Sequence, residues 1–199
     1  MREDSIGLFW QDADKVKGTG RDKVARVMPE IPDLPWQKLR DLPNLASASV
    51  LAIDLETNDE SLELDHGPGW ARGVGNIAGI SVATEDAAWY FPIRHTIQPE
   101  DNYEPARVLA WAKHEFARKH QPKIFANASY DLGWLEQEGV GVVGDLHDVQ
   151  FAEALLDSDA FVALESLLKK YTGENLLLVK AKGSDFAKSK SDLKEWLRS

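Results

Sequence analysis

Val50-Leu51-Ala52-Ile53-Asp54-Leu55-Glu56-Thr57 is a short apolar run that delivers two carboxylates two residues apart. Its apolar, partly β-branched start reads as a buried strand over Val50 to Asp54. Side chains at i and i+2 of a strand share a face, so Asp54 and Glu56 stand together at its end. Nothing in the next few residues neutralises them. Two adjacent anions repel unless a cation lies between them or one takes up a proton. A hard divalent ion such as Mg²⁺ suits that place, because it prefers oxygen and is often held by one or two carboxylates plus substrate phosphates. The stretch predicts an enzyme.

Outward from this strand, residues 59 to 75 read as a polar loop rich in Gly and Pro. Asn76 to Thr84 and Ala87 to Ile93 read as two strands joined by Glu85-Asp86, a hairpin. Tyr103 to Lys119 turns helical, with Leu109, Ala112 and Phe116 at i, i+3 and i+7. Lys123 to Ala126 is expected as a short strand, Ala128 to Gln137 as a helix, and Val142 to Leu146 as another strand. Asp148 is placed to cap a helix through Leu156, and Asp159 one through Tyr171. Ser191 to Arg198 has the pattern of a further helix. Strands first, then alternating helices and strands, indicate an α/β fold with a mixed sheet and helices packed on it.

Residues 1–47 read as an N-terminal extension. Pro29, Pro32, Pro35 and Pro43 exclude a long helix or a central strand there, and Trp10 and Trp36 imply packing on the body. Residues 48–199 form the main domain.

The chain has 199 residues, enough for one domain with a real core. Seven Trp and seven Phe argue against a disordered chain. No apolar run approaches the roughly 20 residues that cross a bilayer, and Arg2, Glu3 and Asp4 stand where a signal peptide would be apolar. With no cysteine, disulfide frameworks and thiolate zinc sites are excluded. A cytoplasmic protein without a membrane partner is expected. The net charge of -10 speaks against broad duplex binding through phosphate neutralisation. It is uneven, however: residues 167–199 hold eight Lys or Arg against four Asp or Glu. Lys180, Lys182, Lys188, Lys190 and Lys194 read as a solvated basic tail or as a track for a DNA backbone.

The second informative segment is Lys123-Ile124-Phe125-Ala126-Asn127-Ala128-Ser129-Tyr130-Asp131. A strand runs into a helix, with Asn127 at the junction and Asp131 one turn in. Residues at i and i+4 share a helix face, and ligands of open α/β sheets gather at the carboxyl ends of the strands. Asp131 can thus join Asp54 and Glu56 as a third carboxylate, or be a first-turn acid favoured by the helix dipole. Asn127 reads equally as a plain cap. Tyr130 and Trp134 sit at core spacing. On the Gly-rich loop, Trp70 offers a surface for stacking a terminal base, beside His66 and Arg72, against the alternative of an ordinary exposed loop.

Asp54-x-Glu56-Thr57, then Asn127-x-x-x-Asp131 placed 77 residues after Asp54, then Asp148-Val149-Gln150-Phe151, resembles the DEDD superfamily of 3'-5' exonucleases. More closely, it is similar to the proofreading domain of family A DNA polymerases of the phage type. Leu164 to Gly173 is similar to the helix that follows in that group. The resemblance covers residues 48 to 175 and implies a ribonuclease-H-like fold with two divalent ions, Mg²⁺ or Mn²⁺. It implies metal-holding and catalytic roles for Asp54, Glu56 and Asp131, and substrate contacts for Asn127, Thr57, Leu55 and Trp70. The implied partners are a single-stranded DNA 3' end and a polymerase domain or subunit, in a bacterial host's cytoplasm if the gene belongs to a phage.

One part of the pattern is missing. That family completes its site with a fourth Asp, preceded by Tyr four residues earlier or His five residues earlier. The positions four after Tyr90, Tyr103, Tyr130 and Tyr171 hold Arg94, Arg107, Trp134 and Asn175. No His meets its spacing. The sequence is expected to stop before this motif, or a separate chain to supply it, leaving the isolated chain weakly active or inactive. Asp148 reads as a cap rather than a ligand, and Glu153, Asp157 and Asp159 as surface or capping groups, one of which is available as a stand-in. Two further readings stand beside DNA proofreading: RNA trimming by the same superfamily, and a non-catalytic module that binds nucleic acid or docks on a polymerase.

Overall fold

A computed structural model describes residues 36–96 and 98–172. The reading of residues 1–35, the basic tail and the helix over Ser191 to Arg198 lie outside the described residues. The core of the fold is a five-stranded mixed sheet in the order β3-β2-β1-β4-β5. Its strands are β1 (Leu51–Asn58), β2 (Asn76–Ala83), β3 (Ala88–Pro92), β4 (Lys123–Phe125) and β5 (Leu146–Asp148). β1, β2 and β3 run antiparallel in sequence, whereas β4 pairs parallel with both β1 and β5. The helices are α1 (Glu60–Glu63), α2 (Gly69–Arg72), α3 (Pro105–Phe116), α4 (Ala128–Gln137), α5 (Val149–Leu156) and α6 (Leu164–Thr172).

The local sequence explains most of these elements. Alternation in β1 buries Leu51, Ile53 and Leu55 and turns Ala52 and Asp54 outward, with Glu56 half-buried on that outer face. The Thr84 to Ala87 turn closes the expected hairpin, Thr84 N–H donating to the Ala87 carbonyl at 2.8 Å. Pro105 starts α3 at a position where its missing N–H costs nothing, and the Glu104 carboxylate accepts from Ala106 and Arg107 N–H. Val108, Ala112 and Phe116 of α3 and Trp134 and Leu135 of α4 join the inner faces of β1, β2 and β3 in one core. Phe91 anchors an aromatic group within it, 4.8 Å from Trp111 and 5.6 Å from Tyr103 between ring centres.

Residues 36–49 lie along this body. Leu45 is buried, its N–H donates to the buried Glu115 carboxylate at 3.0 Å, and Gln121 Nε2 donates to the Leu45 carbonyl at 2.7 Å. The Trp36 indole N–H donates to the Tyr90 carbonyl on the outer edge of β3, covering an edge that would otherwise invite another strand.

Several boundaries differ from the sequence reading. β1 continues through Asn58, so the two carboxylates stand within the strand instead of at its end; a bulge between Glu56 and Thr57 follows them. The polar loop over 59–75 contains α1 and α2. Both are organised by Asp59, whose carboxylate accepts from Leu62 N–H and Gly69 N–H. Val142 to Leu146 is not a strand; pairing starts at Leu146 and reaches Asp148, because the parallel ladder with Lys123 to Phe125 sets the register. The last described helix starts at Leu164, not after Asp159, whose N–H is taken by the Asp157 carboxylate in a local turn. Glu153 is not a surface acid: it is 2% exposed and accepts from Lys170 and Tyr171 between α5 and α6. No helix among the described residues is long and apolar enough to cross a membrane.

Candidate active site at the carboxylate edge

The outer face of the sheet carries Asp54 and Glu56, opposite the apolar stripe of Leu51, Ile53 and Leu55. A trough of about 570 Å³ crosses this face, lined by Ala52, Asp54, Ser81, Tyr90, Ile124 and Leu164 among others. Asp54 lies opposite Ser81 on β2, and Ser81 opposite Tyr90 on β3, which sets these three in one row. Glu56 lies opposite Gly79, one row further along.

Asp131 comes to this place from α4. It is 3% exposed and accepts the backbone N–H of Leu55. Strand geometry supplies that donor. Leu51 N–H points across to β4, donating to the Pro122 carbonyl, and every second N–H of a strand faces the same neighbour. Register pairs between β1 and β4 stop at Ala52 and Ile124, so the Leu55 N–H emerges past the ladder, where Asp131 takes it. Burial first, then the charge of Asp54, pushes the Asp131 carboxyl up to about 7; Asp148 and Glu56 add to the rise and only the Leu55 N–H opposes it. No protein cation is among these causes.

Asn127 occupies the cap position of α4 in the left-handed conformation, φ 66° and ψ 55°, which Asn tolerates better than most residues. Its side chain makes no capping bond; it accepts from Ser129 Oγ at 3.2 Å and is exposed. Asp148 does the work at that turn. One of its oxygens accepts from Ala128 N–H at 2.7 Å and the other from Gln150 N–H at 2.8 Å, with longer bonds from Asn127 and Phe151. Burial would raise the Asp148 carboxyl, but these four donors together hold it below the usual range. The capping role read from sequence is present; the clamp on Asn127 and Ala128 was missed. Its signal is the pairing of Phe125 with Asp148 across the parallel strands, which no local pattern reveals.

The remaining candidates divide. Thr57 Oγ1 lies 2.9 Å from the Tyr130 hydroxyl, which donates to Asp59 Oδ2 at 2.8 Å. Tyr130 has one hydrogen to give, so Thr57 donates to it. This chain links the end of β1 to the loop carrying Trp70. Leu55 points its side chain into the core and offers the site only its N–H. Trp70, on α2, is half-buried with its indole packed against Gly133 of α4, where an added methyl would come within 2.3 Å of it. Trp134 is buried, as its spacing implied, and Tyr130 half-buried. Sequence reasoning also missed Tyr90. Its hydroxyl contacts His95 Nε2, and burial, then the charges of Glu56 and Asp54, push it well above the ordinary tyrosine value.

Among the described residues, no three His, Asp or Glu side chains form a cage able to hold a metal unaided. The donor set still fits a divalent ion. It is all oxygen, and it includes a buried carboxyl, Asp131, that burial and then the charge of Asp54 push up to about 7. Such a set suits Mg²⁺ or Mn²⁺ completed by water and substrate phosphate.

A mixed sheet with carboxylates gathered at the end of its parallel pair defines a nuclease-like α/β class with the ribonuclease-H-like fold. A family model for 3'-5' exonucleases matches residues 37–197, and the chain belongs to that family. No curated protein sequence matches it significantly. Among solved structures it is similar to Brucella melitensis NrnC bound to pGG, with 17% identity and a TM-score of 0.50 over 79% of this chain and 69% of that one. A structure described as the apo form of a nuclease matches with 20% identity and a TM-score of 0.48, over 75% and 65%. Escherichia coli RNase D, an exoribonuclease, matches with 11% identity and a TM-score of 0.45, over 75% and 35%. The chain thus spans about two thirds of the first two and about a third of the last.

Proposed function

We propose that this domain is a metal-dependent exonuclease that hydrolyses phosphodiester bonds at the 3' end of single-stranded DNA, as the editing part of a cytoplasmic DNA polymerase. The observation that carries the metal-nuclease reading is Asp131: a buried carboxyl on the Leu55 N–H, facing the charges of Asp54 and Glu56, with no cation of the described residues among the causes of its shift. Asp54, Glu56 and Asp131 are the residues that would hold the divalent ions. When bound, such ions sharpen an attacking water and stabilise the leaving 3' oxygen.

The chain's own residues do the rest. Asp148 fixes the turn at Asn127 and Ala128 and so sets the first turn of α4, from which Asp131 projects. The Leu55 N–H orients the Asp131 carboxyl and favours its ionised form. Thr57, Tyr130 and Asp59 tie the strand end to the loop that presents Trp70, where a terminal base would stack. Among the described residues no further carboxylate takes a fourth place. Asp148 has both oxygens engaged by backbone N–H groups, Glu153 is paired with Lys170 and Tyr171, and Asp157 and Asp159 are exposed.

A second reading, trimming of short RNA, draws support from NrnC, a structural neighbour bound to pGG. Single-stranded DNA and RNA of one sequence, offered with Mn²⁺, distinguish the two by which releases mononucleotides from its 3' end. Calorimetry with Mn²⁺ tests the shared premise. Binding that disappears in Asp54→Ala supports the metal site. Metal-independent oligonucleotide binding, unchanged by that substitution and without product, supports a docking module instead.

A further inference from the structure

Tyr90 is the neutral group that the sheet brings to Glu56. It stands on β3 opposite Ser81, in the row that contains Asp54. Its ring does not stay in that row. A methyl added to Gly79 would lie 2.1 Å from the Tyr90 hydroxyl and 2.5 Å from the ring carbon bearing it. The ring therefore leans diagonally over Gly79, whose partner on β1 is Glu56. Neighbouring strands lie ~4.7–4.9 Å apart, so a hydroxyl above Gly79 is one strand spacing from Glu56. A glycine is needed at this point because any side chain would close the gap. The charge that Tyr90 feels most after burial is that of Glu56, with Asp54 next.

The far side of the hydroxyl is held as well. His95 Nε2 meets it, and the His95 backbone is pinned by two bonds to Asn102, at 2.9 and 2.8 Å. The two rings meet edge to face, 5.6 Å between centres.

We propose that Tyr90 is a positioning residue of this site: its hydroxyl, seated over Gly79, donates to the Glu56 carboxylate and fixes its orientation toward a bound divalent ion. The His95 Nε2–H then donates to the Tyr90 oxygen, so the order runs from His95 through Tyr90 to Glu56. The inference rests on the metal-nuclease reading above and adds a residue that the sequence motifs do not contain. Partners that orient a metal ligand are typically worth roughly 10- to 100-fold in metal affinity or activity.

The test uses the full chain, Mn²⁺ calorimetry and a 5'-labelled single-stranded oligonucleotide. Tyr90→Phe is expected to keep the fold, to lower Mn²⁺ affinity by roughly tenfold or more, and to lower kcat with little change in KM. Gly79→Ala keeps the hydroxyl but fills its seat, and is expected to give the same losses while suiting a strand better. His95→Leu should share the defect, and His95→Gln, which restores a donor, should recover it in part. Wild-type affinity and kcat in both Tyr90→Phe and Gly79→Ala would overturn the proposal and leave the metal site standing. If Tyr90→Phe melts early, Gly79→Ala and the His95 pair decide by the same two readouts. A wild-type chain that binds Mn²⁺ no better than Asp54→Ala removes the metal reading itself, and this proposal with it.

Discussion

Glu115 and Asp131 are both 3% exposed, yet the protein treats them in opposite ways. Glu115, on α3, takes a forked pair of bonds from the Arg118 guanidinium at 2.9 to 3.2 Å, and accepts the Leu45 N–H. Glu153 follows the same plan with Lys170 and Tyr171, which hold its carboxyl below the usual range. Asp131 is given one backbone N–H and three nearby carboxylates, and its carboxyl is pushed up to about 7. Burying a charge without a partner is costly. Among the described residues, the fold sets cations beside two buried acids, whereas none is among the causes that shift the third, the contrast on which the proposed metal role of Asp131 rests. Glu115 is matched by the Arg118 cation and Glu153 by Lys170 of the next helix; Asp131 is matched by one backbone N–H.

The largest test of this contrast is Asp54→Ala, expected to abolish Mn²⁺ binding and whatever 3'-end hydrolysis the chain carries out, while leaving the melting temperature almost unchanged. An equal loss of stability would mean that the edge is part of the structural framework. Next, Glu115→Ala should destabilise the fold by roughly 3 kcal/mol, since Arg118 and the Leu45 N–H lose their acceptor. Denaturant unfolding measures that, and Mn²⁺ affinity should not move.

Asp131→Asn should behave in the reverse sense. The folded carboxyl titrates near 7 against an ordinary aspartate value of 3.8. Between those values the folded chain holds a proton that the unfolded chain has lost. Wild-type stability therefore falls as pH rises through that window and levels off above it. The amide has no such proton and still accepts the Leu55 N–H. Without metal, the variant should be the more stable by roughly 2 kcal/mol at pH 8 and level with wild type near pH 4. Mn²⁺ should reverse the order at pH 8, because only the carboxylate gains from it. A wild-type chain with no pH slope would break the comparison with Glu115.

The smallest effect is expected at Gly133→Ala. Its methyl meets the Trp70 indole, while alanine suits a helix interior by about 1 kcal/mol over glycine. The overlap should outweigh that gain and lower stability by roughly 1 kcal/mol, and KM for an oligonucleotide should rise severalfold if Trp70 carries a stacked base.

Much of this was legible from the chain alone. The hairpin of β2 and β3 and the bounds of α4 follow from periodicity and turn residues, which act within a few positions. Asp54, Glu56 and Asp131 were readable for a related reason: i, i+2 on a strand and i, i+4 on a helix are local geometry. Where prediction failed, the deciding contact was distant. Residues 59–75 looked like a plain loop because α1 and α2 depend on one carboxylate, Asp59, reaching both of them. The fifth strand was misplaced by a few residues because its register is set by Lys123 to Phe125, more than twenty positions away. Glu153 reads as a surface acid in sequence because its partners come from the next helix.

The opening stretch, Val50 to Thr57, thus determined by itself that two carboxylates share one face of a buried strand, since side-chain alternation is a property of the backbone. Only the tertiary structure decided what surrounds them. Strand pairing set Gly79 beside Glu56 and Tyr90 in the row of Asp54, and the end of the β1–β4 ladder freed the Leu55 N–H for Asp131. Asp148 was brought across the sheet to hold the turn at Asn127. These relations join residues far apart in sequence, and they exist only once hydrogen-bond register and core packing have fixed which segments lie side by side.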